Sequence, residues 1–237
     1  MGVDPNLGMG ARCFEVVFMI LLAVECSTKV LSLALFENKV LLEEKIVLPS
    51  TITLAEKILP EISQILSRNN LTLGSLTHVA LSTGPGSFTS LRIGLATIMG
   101  LSAGASFTVF GLSSLESMVH GLREKGGILA PTLLAGRGQL YAAFYNATQE
   151  GVNLLEGPFV LSAEKFSEKI NYYRIVSAFG PGLELMAGAK TVPVGADIIP
   201  LARHLGELAF TGRFQPSVVD ELKISYLLDP DLGINKN

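Results

Sequence analysis

Met19–Val24 is an unbroken apolar run, the pattern of a strand buried on both faces. A polar turn, Glu25-Cys26-Ser27-Thr28, separates it from Val30–Phe36, where the alternation predicts a second strand. Glu37-Asn38-Lys39 then turns the chain into a third strand, Val40–Leu48. Pro49 and Ser50 break this meander. The spacing predicts a helix over Thr51–Ser67 with Leu54, Ile58, Ile62, Ile65 and Leu66 on one face. Ser50, Thr51 and Thr53 are cap candidates, with Glu56 placed as the capping-box partner of Thr53 and Pro60 expected to kink the helix.

Leu76–Ser82 reads as another buried strand, and it runs into Ser82-Thr83-Gly84-Pro85-Gly86-Ser87-Phe88-Thr89-Ser90-Leu91-Arg92-Ile93-Gly94. Gly84 and Gly86 flank a proline, so the chain can turn sharply there. Ser87 or Thr89 can cap a helix predicted over Leu91–Ala105. Strand, glycine turn and helix N-terminus in that order can hold an anion, although most such turns only redirect the chain. Phe88, Leu91, Leu95, Ile98 and Met99 form one apolar stripe on this helix, and Ala96, Gly100 and Gly104 form a second stripe of small residues. A helix apolar on more than one side must be covered on more than one side.

Strand 108–112, a helix over Leu115–Glu124 capped by Ser113 or Ser114, and Gly126-Gly127 close the first part. The second part opens with strands Ile128–Ala135, Leu140–Tyr145 and Val152–Leu161. A short helix over Ala163–Ile170 follows, then strand Arg174–Ala178 and a second strand-then-turn, Gly180-Pro181-Gly182. A helix over Ile198–Phe210 and an extended Leu222–Leu228 end the pattern. Each part begins with strands and turns and then alternates helix with strand. Two related α/β lobes, 19–126 and 127–237, fit better than one doubly wound sheet. Residues 1–18 lack periodicity and read as an unordered leader or tag, with Met19 as the expected natural start.

Of the 237 residues 49% are apolar and 16% charged, enough for a sizeable core, and the net charge is -3. That balance argues against a protein that binds nucleic acid on its own. Two cysteines, Cys13 and Cys26, supply neither a disulfide framework nor zinc spacing, which points to a reducing cytoplasm. The run Val16–Val24 is too short to span a membrane, and its acidic flanks, Glu15 and Glu25, argue against export. His78, His120 and His204 share no metal-ligand spacing, and Ser27 and Ser87 have no visible base beside them. Arg92 is a charge on the second helix that can bind phosphate or pair with a carboxylate across a subunit contact.

The segment Met19–Thr28 together with Gly84-Pro85-Gly86-Ser87-Phe88-Thr89-Ser90-Leu91-Arg92-Ile93-Gly94 resembles the TsaB (YeaZ) family. Ile58-Leu59-Pro60, Gly138-Gln139-Leu140-Tyr141 and Ile224-Ser225-Tyr226-Leu227 resemble its other motifs, so the likeness spans about residues 19 to 228. The resemblance implies an α/β fold of the two-lobed actin, Hsp70 and sugar-kinase (ASKHA) type, each lobe a mixed sheet with helices. It implies a non-catalytic role in making N6-threonylcarbamoyladenosine at position 37 of tRNA. The implied partners are a homologous catalytic subunit, TsaD, and a small ATPase, TsaE, with tRNA reached through the complex only. The implied interface lies on the first two helices, with Ile58, Leu91, Arg92, Leu95 and Met99 as its expected contacts, and the same surface is expected to make a homodimer when the chain is alone.

Departures from the family pattern bear on nucleotide binding. Glu25 stands where the superfamily commonly has a metal-holding Asp, and Cys26 where the family often has Thr. Leu134-Ala135-Gly136 replaces an Asp-Ala-Arg, and Leu54 stands where a His is frequent. Glu25 is one methylene longer than Asp, so its carboxylate reaches a different place, and the other changes remove polar groups that metal-assisted phosphoryl transfer would want. Glu25, Ser27, Thr28, Gly84 and Gly86 are therefore expected as a vestigial cofactor site, with no tightly bound cofactor. The competing expectation is an active kinase-like member holding ATP or ADP with magnesium, in that site or at a subunit interface.

Overall fold

A computed structural model describes residues 18–148, 150–173, 177–186 and 198–227. The expected leader, apart from Phe18, lies outside them. So do Cys13 and the start of the strand expected at Arg174.

The first sheet contains β1 (Ile20–Glu25), β2 (Leu31–Glu37), β3 (Val40–Val47), β4 (His78–Gly84) and β5 (Thr108–Ser113), in the order β3-β2-β1-β4-β5. Helix α1 (Leu54–Arg68) joins β3 to β4, and α2 (Phe88–Ser102) joins β4 to β5. Helix α3 (Ser114–Leu122) leads to the second sheet, formed by β6 (Gly127–Gly136), β7 (Gln139–Thr148), β8 (Gly151–Ser162) and β9 (Ser177–Phe179) in the order β8-β7-β6-β9. Helix α4 (Ala163–Tyr173) precedes β9, and α5 (Ala202–Ala209) follows it.

The second sheet repeats the first. In each, an antiparallel meander of three strands is joined by a fourth strand parallel to the first, β4 beside β1 and β9 beside β6. Each of these fourth strands ends in a Gly-Pro-Gly turn, so the duplication visible in the sequence is a duplication of topology.

Local signals place the helices. Thr53 caps α1 through the full capping box with Glu56, and the helix continues through Pro60. Ser87 caps α2 by accepting from the Ser90 N–H, which starts the helix three residues before the expected Leu91. Pro200 keeps α5 from starting at Ile198.

The alternation in β1 then builds two cores. Ile20, Leu22 and Val24 face α1 and α2, against Ile58, Ile62, Ile65 and Ile98. Leu21 and Ala23 face the other way, with Phe36, Phe110 and Leu112, and α5 covers them through Leu205, Leu208 and Ala209. This corrects the expected lobe boundaries. Helices α1 and α2 both lie on one face of the first sheet, so its second apolar face needs a cover from elsewhere, and the C-terminal helix supplies it. Helix α3, placed in the first lobe by sequence, instead puts Leu115, Met118 and Val119 into the core of the second sheet.

The tail after α5 stays with the first lobe as well. Ser217 pairs with Val109 on β5, and the Ser225 N–H donates to the Thr83 carbonyl at 2.8 Å.

The exchanged helices meet at a shared carboxylate. Glu207 of α5 lies 3.4 Å from His120 of α3 and 3.7 Å from Arg123 just beyond that helix, and 3.2 Å from Arg203 and 3.6 Å from His204 of its own helix. Hydrogen bonds from His120 and His204 hold the Glu207 carboxyl well below the usual carboxylate range. Two histidines far apart in sequence are thus structural neighbours at the joint between lobes. Among the described residues, no group of three or more His, Cys, Asp or Glu could hold a metal ion.

Candidate functional site

The residues expected around a nucleotide do come together. β1 ends at Glu25, β4 ends at Gly84, and the turn between β4 and α2 lies against the Cys26–Thr28 loop. The contact is closed, however. The Ser87 N–H, which could have faced a phosphate, donates to the Ser27 carbonyl at 2.7 Å. A Cβ added at Gly86 would stand 2.3 Å from that carbonyl oxygen, and one added at Gly94 would stand 2.4 Å from Cys26 Sγ. Glycine at both positions lets α2 sit directly on the loop. Thr28 is spent locally, its Oγ1 accepting from the Val30 N–H at 3.2 Å. The tail crosses Gly84, whose added Cβ would lie 3.1 Å from the Ser225 carbonyl.

Glu25 is 1% exposed. Its Oε1 accepts from the Ser27 N–H at 2.7 Å, while Oε2 and the Ser27 hydroxyl have no hydrogen-bond partner among the described residues. Burial pushes the Glu25 carboxyl up, and the hydrogen bond from the Ser27 N–H only partly opposes it. Cys26 is inert for the same reason, its thiol pushed up to about 12 by burial. Glu25 and Ser27 are interior residues.

A pH test follows. The folded chain holds the Glu25 proton more tightly than the unfolded chain. Stability is then full below the ordinary carboxylate pKa and is lost as pH rises from there toward the raised one. Glu25→Gln removes that loss. The variant should melt above the parent at pH 7 to 8, with the gap closing toward pH 4. A variant that melts lower at pH 8 would show an ionised, satisfied carboxylate instead.

The turn in the second lobe is closed the same way. A Cβ at Gly180 would meet the Thr132 carbonyl oxygen at 2.2 Å, and the Thr132 hydroxyl donates to the Phe179 carbonyl at 2.9 Å. Of the residues that replace Asp-Ala-Arg, Leu134 is 44% exposed, and the next residue, Arg137, has a positive φ of 52° in the β6–β7 turn.

The open surface lies across α1 and α2. Two expected contacts are corrected here: Ile58 and Leu91 are each 1% exposed, because they lie on the stripes that face the sheet. Leu95 is half-buried against the same core. Met99 is outward, as are Arg92, Ala96, Gly100 and Ala103. On α1 the outward apolar residue is Leu59, with Ala55 beside it, and Ile52 stands just before the helix. Between the helices a groove of about 390 Å³ is lined by Leu59, Leu66, Leu71, Leu73 and Leu101. The signal for Leu59 and Ile52 was present as apolar residues off the buried stripe. Reading only the stripe misses them.

Comparison with known proteins agrees with this architecture. The TsaD family profile, tRNA N6-adenosine threonylcarbamoyltransferase, matches residues 48–195. The chain is 30% identical to the tRNA threonylcarbamoyladenosine biosynthesis protein TsaB of Haemophilus influenzae over 220 residues, 86% of this chain and 90% of the other. It is 29% identical to the TsaB of Escherichia coli K12 over 201 residues, 78% and 86% of the two chains. YeaZ from Pseudomonas aeruginosa superposes with a TM-score of 0.73 at 23% identity, over 88% of this chain and all of that one.

The repeated β3-β2-β1-β4 half, present twice with exchanged covering helices, defines a two-lobed α/β protein with the fold of YeaZ. Within that class the chain belongs to the TsaB family. No helix among the described residues is long and apolar enough to cross a membrane.

Proposed function

We propose that this chain is a non-catalytic subunit in the threonylcarbamoylation of adenosine 37 of tRNA. It presents the α1–α2 face to a TsaD-like catalytic subunit. The observation that carries the reading is that face: Ile52, Leu59 and Met99 are 55%, 48% and 42% exposed, around small residues that admit another helix backbone closely. Exposed apolar surface of this kind mostly marks a protein contact. Without the partner, the same face pairs two copies of the chain. A TsaE-like ATPase joins the complex, tRNA is reached through it, and the work is cytoplasmic.

The closed turns support a role without a tightly bound nucleotide. The Ser27 and Thr132 carbonyls pack against the two Gly-Pro-Gly turns. Tight binding to the folded state raises stability by mass action. Millimolar ATP with magnesium should therefore leave the melting temperature of the isolated chain unchanged, and an upward shift of several degrees would restore the kinase-like alternative.

The decisive experiment is co-purification of this chain with the TsaD-like subunit of its own organism, followed by a tRNA modification assay with and without it. Co-elution and a requirement for both support the scaffold reading. Failure to associate sinks it.

A further inference from the structure

We propose that Arg92 is the polar anchor of the α1–α2 face, pre-positioned to pair with a carboxylate on the helix of a partner subunit. The inference rests on the partner-binding reading and names the chemistry of that contact.

Three observations carry it. First, Arg92 shares the outward stripe of α2 with Ala96, Met99 and Ala103, at helical spacings of four, seven and eleven. Its charge therefore stands in the apolar face and not beside it. Second, the side chain is held in place. The guanidinium lies 3.8 Å over the Phe88 ring, its Nε donates to the Tyr226 hydroxyl at 3.1 Å, and the two rings are 5.0 Å apart. Holding a long side chain before binding removes much of its ordering cost, and Arg and Tyr are enriched among the residues that dominate interfaces. Third, no ion pair joins Arg92 to a carboxylate among the described residues, whereas Lys45, Arg68, Arg123, Lys169, Arg203 and Arg213 each have one. The Nε is taken by Tyr226, and the exposed side chain keeps two terminal nitrogens for a carboxylate.

The partner must supply the acid. Helix α2 contains no Asp or Glu from Phe88 to Ser102, so a second copy packed α2 against α2 sets arginine against arginine and makes the weaker pairing. A different subunit with Asp or Glu on its facing helix satisfies the charge. The guanidinium fork then favours Arg over Lys at this position.

The test is binding of the TsaD-like subunit at 50 and 300 mM NaCl to four forms of the full chain: parent, Arg92→Gln, Arg92→Lys and Tyr226→Phe. Arg92→Gln should weaken binding ten- to a hundredfold at low salt and flatten the salt dependence. Arg92→Lys should recover little, and Tyr226→Phe should weaken binding a few-fold with the melting temperature unchanged. Unchanged affinity and salt dependence in Arg92→Gln would overturn the proposal. If Leu59→Glu with Met99→Glu still abolishes binding, the face stands and only the anchor is wrong. If neither set of changes affects binding, the reading of the face fails as well. If Arg92→Gln spares the protein contact but lowers the affinity of the complex for tRNA, the anion is a phosphate and the proposal is equally overturned.

Discussion

Replacing Leu59 and Met99 together by glutamate should abolish co-purification with the TsaD-like subunit and reduce tRNA modification to the level without this chain. Both side chains are outward, at 48% and 42% exposure, one on each helix of the face. In a formed interface each would be desolvated, and a buried carboxylate without a partner costs at least ~2 kcal/mol. Two such penalties amount to ~4 kcal/mol, about a thousandfold in Kd. In the isolated chain the same positions face solvent, so stability should change by no more than ~0.5 kcal/mol per site. The expected result is a folded, monomeric chain with an unchanged melting temperature and no partner. Retained binding would place the contact elsewhere. The previously expected positions would give a misleading answer, because Ile58→Glu and Leu91→Glu put charge into the core and lose binding by unfolding.

The contrast between Leu59 and Ile58 shows what the sequence could convey. Helical periodicity locates the buried stripe, since Ile58, Ile62 and Ile65 must all meet one sheet. It cannot say which remaining apolar residue is left outside, because that depends on which faces of the sheet other helices already cover. The lobe boundaries have the same origin. The strands, the two Gly-Pro-Gly turns and the caps at Thr53, Ser87 and Ser113 are local signals and were legible. The exchange of α3 and α5 between lobes was not, because it follows from a sheet with α1 and α2 on one face and an apolar surface on the other. The closed turn was half legible. The turn itself was signalled by Gly84 and Gly86, but the Ser27 carbonyl against Ser87 is a backbone contact that no side-chain pattern reports.

The tightest of these contacts gives the last prediction. Gly94→Ala should destabilise the protein, and Cys26→Ala should reverse the sign of that effect. In the parent, the new Cβ would stand 2.4 Å from Cys26 Sγ, more than 1 Å inside ordinary contact, and the sulfur is enclosed beneath α2 with Ser82 and Ser90 around it. Overpacking of this kind costs ~1–3 kcal/mol. Removing a glycine from a helix interior returns ~1 kcal/mol. At so short a distance the clash dominates, for a net loss of about 2 kcal/mol, or roughly 4–8 °C in a chain of this size. Cys26→Ala removes the sulfur. The next neighbours of the new methyl are then Leu81 Cδ1 at 3.5 Å and the residue 26 Cβ at 4.0 Å, both ordinary contacts. In that background the helix gain should survive, and Gly94→Ala should stabilise by ~0.5–1 kcal/mol. Urea unfolding of the four proteins measures the cycle. Additive effects would mean that α2 does not rest on the Cys26 loop. The closed turn, and with it the argument against a nucleotide in the first lobe, would then have to be withdrawn.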